Sequence, residues 1–374
     1  MTRAMVREFA EREIIPQTRE NDRLHRFPAG LLKQMAPLGL LGGPIPQEYG
    51  GMGTDYRTWG LVMEELGRAC LSTATTVLVQ VSLVGLNLLH WASEEQRRRY
   101  LPRLTSGEII GAFGLTEPNV GSNPAGMETV ATRRGDDWVL RGQKTWISNG
   151  GVADLVIVYA QTDPSQGHRG IAAFLVERGM DGFTSQNIEG KLGLHASNTA
   201  TLFFDEVRIP AEQVMAPPGQ GIHSALSTLE TSRMTAASAF VGLAQACLEA
   251  AVEYAQTRQQ FGRAIGSFQM VQDLIAEMVV EVEAARCLAR RAAALKDQGK
   301  MTARDGAMAK YYASEVAVRC SERAIQVHGG HGYSDEFPVE RYFRDARVGT
   351  LYEGTSQIQK LIIGRETLGI SAFV

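Results

Sequence analysis

A mainly α chain interrupted by a central β-domain is the fold this sequence predicts, and three observations carry it. Apolar residues recur at helical spacing over 1–108, and short β-rich runs separated by turns replace them over 109–212. Long helical stripes then return over 213–374. The expected architecture is an N-terminal helical domain, a small antiparallel β-barrel or sandwich, and a C-terminal helical bundle.

In the first segment Met5, Phe9 and Ile14 keep a helical period until Pro16, where a stop or bend is expected. Phe27, Leu31, Leu32 and Met35 open a second helix that ends near Pro37–Gly39. The Gly/Pro-rich passage 42–53 reads as irregular chain. Helical periodicity resumes over 56–68 and 72–91, and the charged run 94–101 reads as a solvated helix face. In the second segment the runs 130–134, 138–141, 155–160, 171–176 and 201–204 read as strands, set apart by turns such as Gly135-Asp136-Asp137 and Asn149-Gly150-Gly151. In the third, Val271, Leu274, Ile275, Met278, Val282, Ala285, Leu288, Ala289, Ala292 and Leu295 form one sustained stripe. Ala-rich stretches at 236–256 and 303–328 are its expected partners.

The 374 residues suffice for two or three domains, and 44% hydrophobic with 21% charged residues is ordinary globular composition. A net charge of −3 gives no pull toward nucleic acid. The four cysteines are scattered, with no ligand spacing for a metal, and read as reduced core thiols. No apolar run approaches the roughly 18 residues needed to span a membrane, and no apolar leader begins the chain, so a cytoplasmic enzyme is expected.

The chemistry-bearing stretch is Leu351-Tyr352-Glu353-Gly354-Thr355-Ser356-Gln357. Thr355 or Ser356 can cap the apolar run that follows, placing Glu353 on a constrained turn at a helix mouth; an acidic residue in a solvated loop reads the same way. Phe113 to Ser122 offers small residues, hydroxyls and free backbone donors, able to follow a flat heterocycle to a phosphate. It is not a dinucleotide-binding glycine fingerprint. Trp146 and Ser148 lie two apart on a strand, an indole plane beside a donor, though a half-buried packing Trp is common. Arg258 to Gly262 with Gln269, and Gln326 to Gly332, complete the set; the two histidines of the latter have no third ligand.

Taken in order, Thr116-Glu117-Pro118 to Gly121-Ser122, Trp146 to Gly150, Arg258 to Gly262, Gln326 to Gly332, Arg344 to Arg347 and Tyr352 to Gln357 resemble the acyl-CoA dehydrogenase family along essentially the whole chain. The resemblance implies a four-helix C-terminal domain, non-covalent FAD and a homotetramer, with a homodimer as the alternative. It implies α,β-dehydrogenation of an acyl-CoA to a trans-2-enoyl-CoA, as in fatty acid β-oxidation, with an electron-transfer flavoprotein as acceptor. Phe113, Leu115, Thr116, Ser122, Trp146, Ile147 and Ser148 are implied at the flavin and pyrophosphate. Arg258, Phe261, Gln269, Gln326, Gly329 and Gly330 are implied at the adenosine half, with Thr355 and Gln357 also touching FAD. Ser122, Glu230, Ser232, Arg233 and Gly354 are implied at the substrate, and Glu353 as the base. One branch of the family carries its base directly before the arginine matching Arg233; here that position is Ser232, which leaves Glu353. Asn123 stands where the family has Asp, and the chain starts a turn or more into the family's first helix. The helix through Thr75–Leu83 is implied to line the acyl pocket, with Gln80 its polar exception. The alternatives are a carrier-protein thioester dehydrogenase, an enoyl-CoA reductase, or a flavin-binding scaffold without turnover.

Overall fold

The computed structural model describes Thr2–Phe373. Helix α1 (Thr2–Phe9) passes through a π-helical turn, Ala10–Ile14, into α2 (Ile15–Arg23). The helix therefore does not stop at Pro16. The proline sits in the first turn of α2, and the wide turn before it gives the ring room and spares a hydrogen bond. Helix α3 (Ala29–Met35) ends through a 3-10 turn at Gly39, whose φ of 72° closes it. Asp55 accepts the Thr58 N–H to start α4 (Tyr56–Ala69). Next come α5 (Leu71–Leu78), a π-helical stretch Val79–Gly85, and α6 (Leu86–Trp91), a rod buried from Leu71 to Leu88. Ser93 and Gln96 form a capping box on α7 (Glu94–Thr105). Gln80 is fully committed to structure. Its amide donates to the Leu104 and Ile109 carbonyls and accepts the Gly111 N–H, stitching the rod to the β-domain.

The β-domain is one predominantly antiparallel sheet. Its strands are β1 (Gly111–Gly114), β2 (Val130–Arg134), β3 (Asp137–Ser148), β4 (Leu155–Gln161), β5 (Ile171–Glu177), β6 (Phe183–Asn187), β7 (Thr199–Ile209) and β8 (Val214–Ala216). They run in the order β6-β7-β3-β2-β4-β5-β8, with β1 parallel beside β4. Strands β1, β6 and β8 lack a sequence signal: β1 is four residues with two glycines, β6 is polar and largely exposed, and β8 is three residues. Period-two alternation divides the sheet's faces cleanly. Leu155, Ile157 and Tyr159 join the helical core, while Val156, Val158 and Ala160 pack in a second core on the other side.

The C-terminal part holds α8 (Gly221–Thr257), a two-residue ribbon of β9 (Gln259–Gln260) and β10 (Arg263–Ala264), then α9 (Gln269–Asp297) and α10 (Ala303–His328). Helices α11 (Val339–Ala346) and α12 (Ser356–Leu368) finish it. Along α9 the expected stripe buries Met278, Val282, Ala285, Ala289 and Ala292. Two helices, Leu71–Trp91 and Gly221–Thr257, do prove long and apolar enough to cross a membrane by length and composition. They were not evident as such because hydroxyl and small residues interrupt the apolar run. Their apolar windows are 100% and 72% buried inside the protein, as core helices are.

Helix α8 runs against α4, α9 and α10. It crosses α4 at backbone contact: a Cβ on Gly242 would lie 1.9 Å from the Glu64 carbonyl oxygen, and one on Gly67 2.1 Å from that of Ala239. Gly242→Ala should therefore force the helices apart and lower stability by about 1–3 kcal/mol. Denaturant unfolding checks this, and an unchanged midpoint would mean that the crossing is looser than described.

Candidate active site

The turn before α12 adopts a backbone that an ordinary residue avoids. Glu353 has φ 57° and Gly354 φ 88°, and the left-handed region disfavours any residue with a Cβ. The surroundings hold it there. Gln359 Nε2 donates to the carbonyls of both Glu353 (3.0 Å) and Gly354 (2.9 Å). Arg233 Nε, from α8, donates to Glu353 O at 3.3 Å, and Lys310 Nζ, from α10, to Gly354 O at 2.7 Å. Thr355 caps α12 by accepting the Ile358 N–H, and the Tyr352 ring meets Phe240 edge-on at 5.8 Å. With both carbonyls engaged, the Glu353 N–H makes no hydrogen bond among the described residues.

The Glu353 carboxyl lies in a low-dielectric setting. Ser232 Oγ is 2.5 Å from its Oε2. Burial pushes its pKa up, against Ser232, Arg233 and Lys310, which favour the ionised form. Ser232 is fully buried and Arg233 nearly so. Ser232, implied at the substrate, touches the carboxylate. Glu230 is half-buried on the same helix and faces Arg233.

A second group of residues forms in the β-domain. Phe113 and Leu115 are buried, and the Thr116–Ser122 loop is closed by the paired Glu117 and Val120 backbones. Beneath it lies a buried ion pair, Lys144 Nζ to Glu117 Oε1 at 2.6 Å. Lys144 also donates to Leu115 O, and Glu117 accepts the Glu128 and Thr129 N–H groups. Burial opposes ionisation of Glu117, but Lys144 and these donors hold its pKa below the usual carboxylate range. The Thr145 N–H donates to Thr116 O, so the loop and the Trp146 segment lie side by side.

Simple strand alternation fails at Trp146. That residue has φ 59°, and the β3–β7 register shifts between Lys144 and Ile147. The bulge leaves the indole 61% exposed and turns the Ile147 side chain into the sheet core, so only the Ile147 backbone is free for a ligand. Ser148 is half-buried, and Ser122 is exposed on the loop.

The remaining residues lie elsewhere. Arg258 precedes the β9–β10 hairpin, Phe261 lies 91% exposed at its tip, and Gln269 follows it. Gln326, Gly329 and Gly330 lie exposed at the end of α10, and stacking of Tyr254 on His328 (4.3 Å) joins that end to α8. No hydrogen bond among the described residues ties this cluster to the β-domain or to Glu353. Gln357 is exposed in the first turn of α12. The described residues include no cluster of His, Cys, Asp and Glu able to hold a metal.

Sequence comparison matches residues 1–108, 112–207 and 219–368 to the acyl-CoA dehydrogenase N-terminal, middle and C-terminal domains. Glutaryl-CoA dehydrogenase of Desulfococcus multivorans is 44% identical, covering 99% of this chain and 96% of the relative. The chain belongs to the acyl-CoA dehydrogenase family. Mouse mitochondrial short-chain specific acyl-CoA dehydrogenase is 43% identical over 98% of this chain and 89% of its own. Among solved structures, a chain described as "Electron transferring flavoprotein of Acidaminococcus fermentans" superposes with TM-score 0.97 at 40% identity, covering 98% of this chain and 97% of that one. Glutaryl-CoA dehydrogenase of Mycobacterium smegmatis in complex with FADH2 gives 0.96 at 35%, covering 100% and 95%.

As an acyl-CoA dehydrogenase the chain is a flavin-dependent oxidoreductase, and FAD is its cofactor. The residues present fit that group. A mostly exposed indole on a strained backbone, beside a loop made rigid from below, is costly to maintain without a flat partner to cover it. Glu117 and Lys144, with Gln359 and Lys310, are site residues that the sequence did not reveal. Each partner is distant in the chain; Glu117 lies within the Thr116-Glu117-Pro118 motif, but nothing in that motif marks its pairing with Lys144. Because breaking one side of a buried pair strands a charge, Glu117→Gln or Lys144→Met should each cost about 3–5 kcal/mol and lower the FAD content of purified protein. The Glu117→Leu/Lys144→Met double variant should be milder than either single one. Flavin absorbance per protein and thermal unfolding measure both effects, and full FAD occupancy in the single variants would remove the loop-supporting role.

Proposed function

We propose that this chain desaturates the α,β bond of an uncharged acyl-CoA thioester, with Glu353 as the base that takes the α-proton. The observation that carries the reading is the Glu353 turn. A carboxylate with a raised pKa stands on a fixed left-handed residue whose own N–H has no partner among the described residues. An ordinary carboxylate, with a pKa near 4, is a weak base for an α-C–H. Burial strengthens it, and a substrate that excludes water strengthens it further. The Glu353 N–H offers a donor to the thioester oxygen, where negative charge gathers as the α-proton leaves. Bound FAD supplies the acceptor for the hydride that leaves the β-carbon. The α-proton ends on Glu353, and the double bond forms between the two carbons. Ser232 and Arg233 keep the carboxyl placed for this transfer.

The buried rod, implied by the family resemblance to line the acyl pocket, supports the choice of acyl group. Thr75 on α5 faces the Tyr352 hydroxyl next to Glu353, and from Leu71 to Leu89 the rod carries no Lys, Arg or His. The two cations at the base, Arg233 and Lys310, already serve the Glu353–Gly354 turn. A second carboxylate on the acyl chain would therefore meet apolar and hydroxyl groups without a counter-charge, a costly burial. Likeness to both glutaryl-CoA and short-chain enzymes does not choose between them, and the lack of a Lys, Arg or His in this rod supports the uncharged tail.

Two further expectations belong to this reading. Exposed Phe261, Met270 (76%) and Val280 (68%) supply apolar surface for self-association into a homotetramer or homodimer. An electron-transfer flavoprotein is the electron acceptor this reading assigns, and the likeness to a chain from an electron-transferring flavoprotein structure supports it.

Glu353→Gln should retain FAD and acyl-CoA affinity yet bleach the flavin about 10²–10⁴-fold more slowly in anaerobic stopped flow. A wild-type rate would refute the assignment. In the same assay butyryl-CoA should reduce the flavin far faster than glutaryl-CoA; the reverse order would mean that an unseen counter-charge reaches the acyl tail.

A further inference from the structure

A buried cation with little structural justification stands behind the base. Lys310 lies mid-helix on α10, its side chain fully enclosed. Its hydrogen-bond partner is the Gly354 carbonyl, at 2.7 Å, rather than a carboxylate. Enclosing an ammonium costs several kcal/mol unless something nearby uses the charge. A neutral donor would serve to hold one carbonyl, and Gln359 already does so for both carbonyls of the turn. The groups facing this point are few. Arg233 and, behind it, Glu230 come from α8, Glu315 from α10, and Glu353 from the turn, while Arg365 on α12 bears on Arg233. Glu315 is engaged by the Ser356 hydroxyl at 2.6 Å. Glu230 bears on Arg233, and Glu353 is the carboxylate whose charge acts most on Lys310.

We infer that Lys310 is a positioning residue for the reaction: it pins the Gly354 carbonyl so that the Glu353 turn stays left-handed, and its charge keeps the Glu353 carboxyl ionised and ready to accept a proton. The inference rests on Glu353 acting as the base. Burial lowers the Lys310 pKa to about 7, with Glu353 pulling it back up and Arg233 lowering it further. The ammonium is therefore present below about pH 7, where its charge favours the ionised form of Glu353. The linkage has a definite sign. Below about pH 7 the enclosed charge penalises the folded state. As pH rises from 7 toward the ordinary lysine value near 10.5, the unfolded chain keeps the proton longer and the folded protein gains relative stability.

The test uses the FAD-loaded enzyme with Lys310→Met, Lys310→Gln and Glu353→Gln in parallel. For Lys310→Met the acid limb of the anaerobic bleaching rate should move to higher pH by about one unit or more. Its plateau rate should fall by about 10-fold, as loss of one hydrogen bond that holds the turn implies. Lys310→Gln, which keeps a donor, should recover much of the plateau while leaving the limb displaced. The thermal midpoint of the wild type minus that of Lys310→Met should grow between pH 7 and 10. If Lys310→Met fails to fold, Lys310→Gln carries the limb measurement. A merely structural lysine would give lower midpoints with wild-type rate and limb, and that result overturns the inference while Glu353→Gln stays inactive. An active Glu353→Gln would instead overturn the base assignment, and the role of Lys310 with it.

Discussion

The left-handed turn at Glu353 and Gly354 is the constraint on which the rest of the site depends. A non-glycine residue at φ 57° is held only because its surroundings over-determine it. Here the restraints come from three helices: Arg233 on α8, Lys310 on α10 and Gln359 on α12. Arg233 and Lys310 each donate to one of two neighbouring carbonyls and Gln359 to both, while the Glu353 N–H has no partner among the described residues. Positions of α8 and α10 thus translate directly into the aim of one carboxyl group. The tight α4–α8 crossing is consequently part of the site's support, because it fixes the helix that carries Ser232 and Arg233.

A similar arrangement recurs in the β-domain, where the Glu117–Lys144 pair sits under the loop facing Trp146. Both places bury charge to fix backbone. In the loop the charges cancel, and the pair is anchored by backbone donors. At the base they do not cancel locally, and the excess positive charge opposes the pull of burial on Glu353. The contrast separates a charge pair that shapes a loop from a charge that tunes an acid.

Much of this was legible in the sequence, and the exceptions have physical causes. The three-part fold followed from hydrophobic period, which reports which face is buried. Motifs around Glu353, Thr116 and Trp146 stood out because they compress glycines, hydroxyls and rings into short stretches. Ser232 was legible as the residue displacing a rival base, but its contact with Glu353 spans 121 positions of chain. Lys310 and Lys144 were invisible because a lysine reads as solvated surface until tertiary structure encloses it. Of the stop or bend expected at Pro16, the stop does not occur, because a π-helical turn makes room for the ring. The indole of Trp146 was re-aimed by a bulge that exists only in the pairing of β3 with β7. Gln80, expected beside an acyl pocket, instead spends its amide on three backbone groups.

The central claim is that a carboxyl made basic by its surroundings is the group that ionises in the reaction. The most direct measurement is the pH dependence of anaerobic flavin bleaching in the wild type and in Ser232→Ala. Ser232 favours the ionised form of Glu353. The wild-type rate should therefore rise with pH through an ionisation above the ordinary glutamate value near 4.3, and the variant's limb should lie higher still. Coincident limbs in the two proteins would contradict the account, because the titrating group would then not be the carboxyl that Ser232 touches.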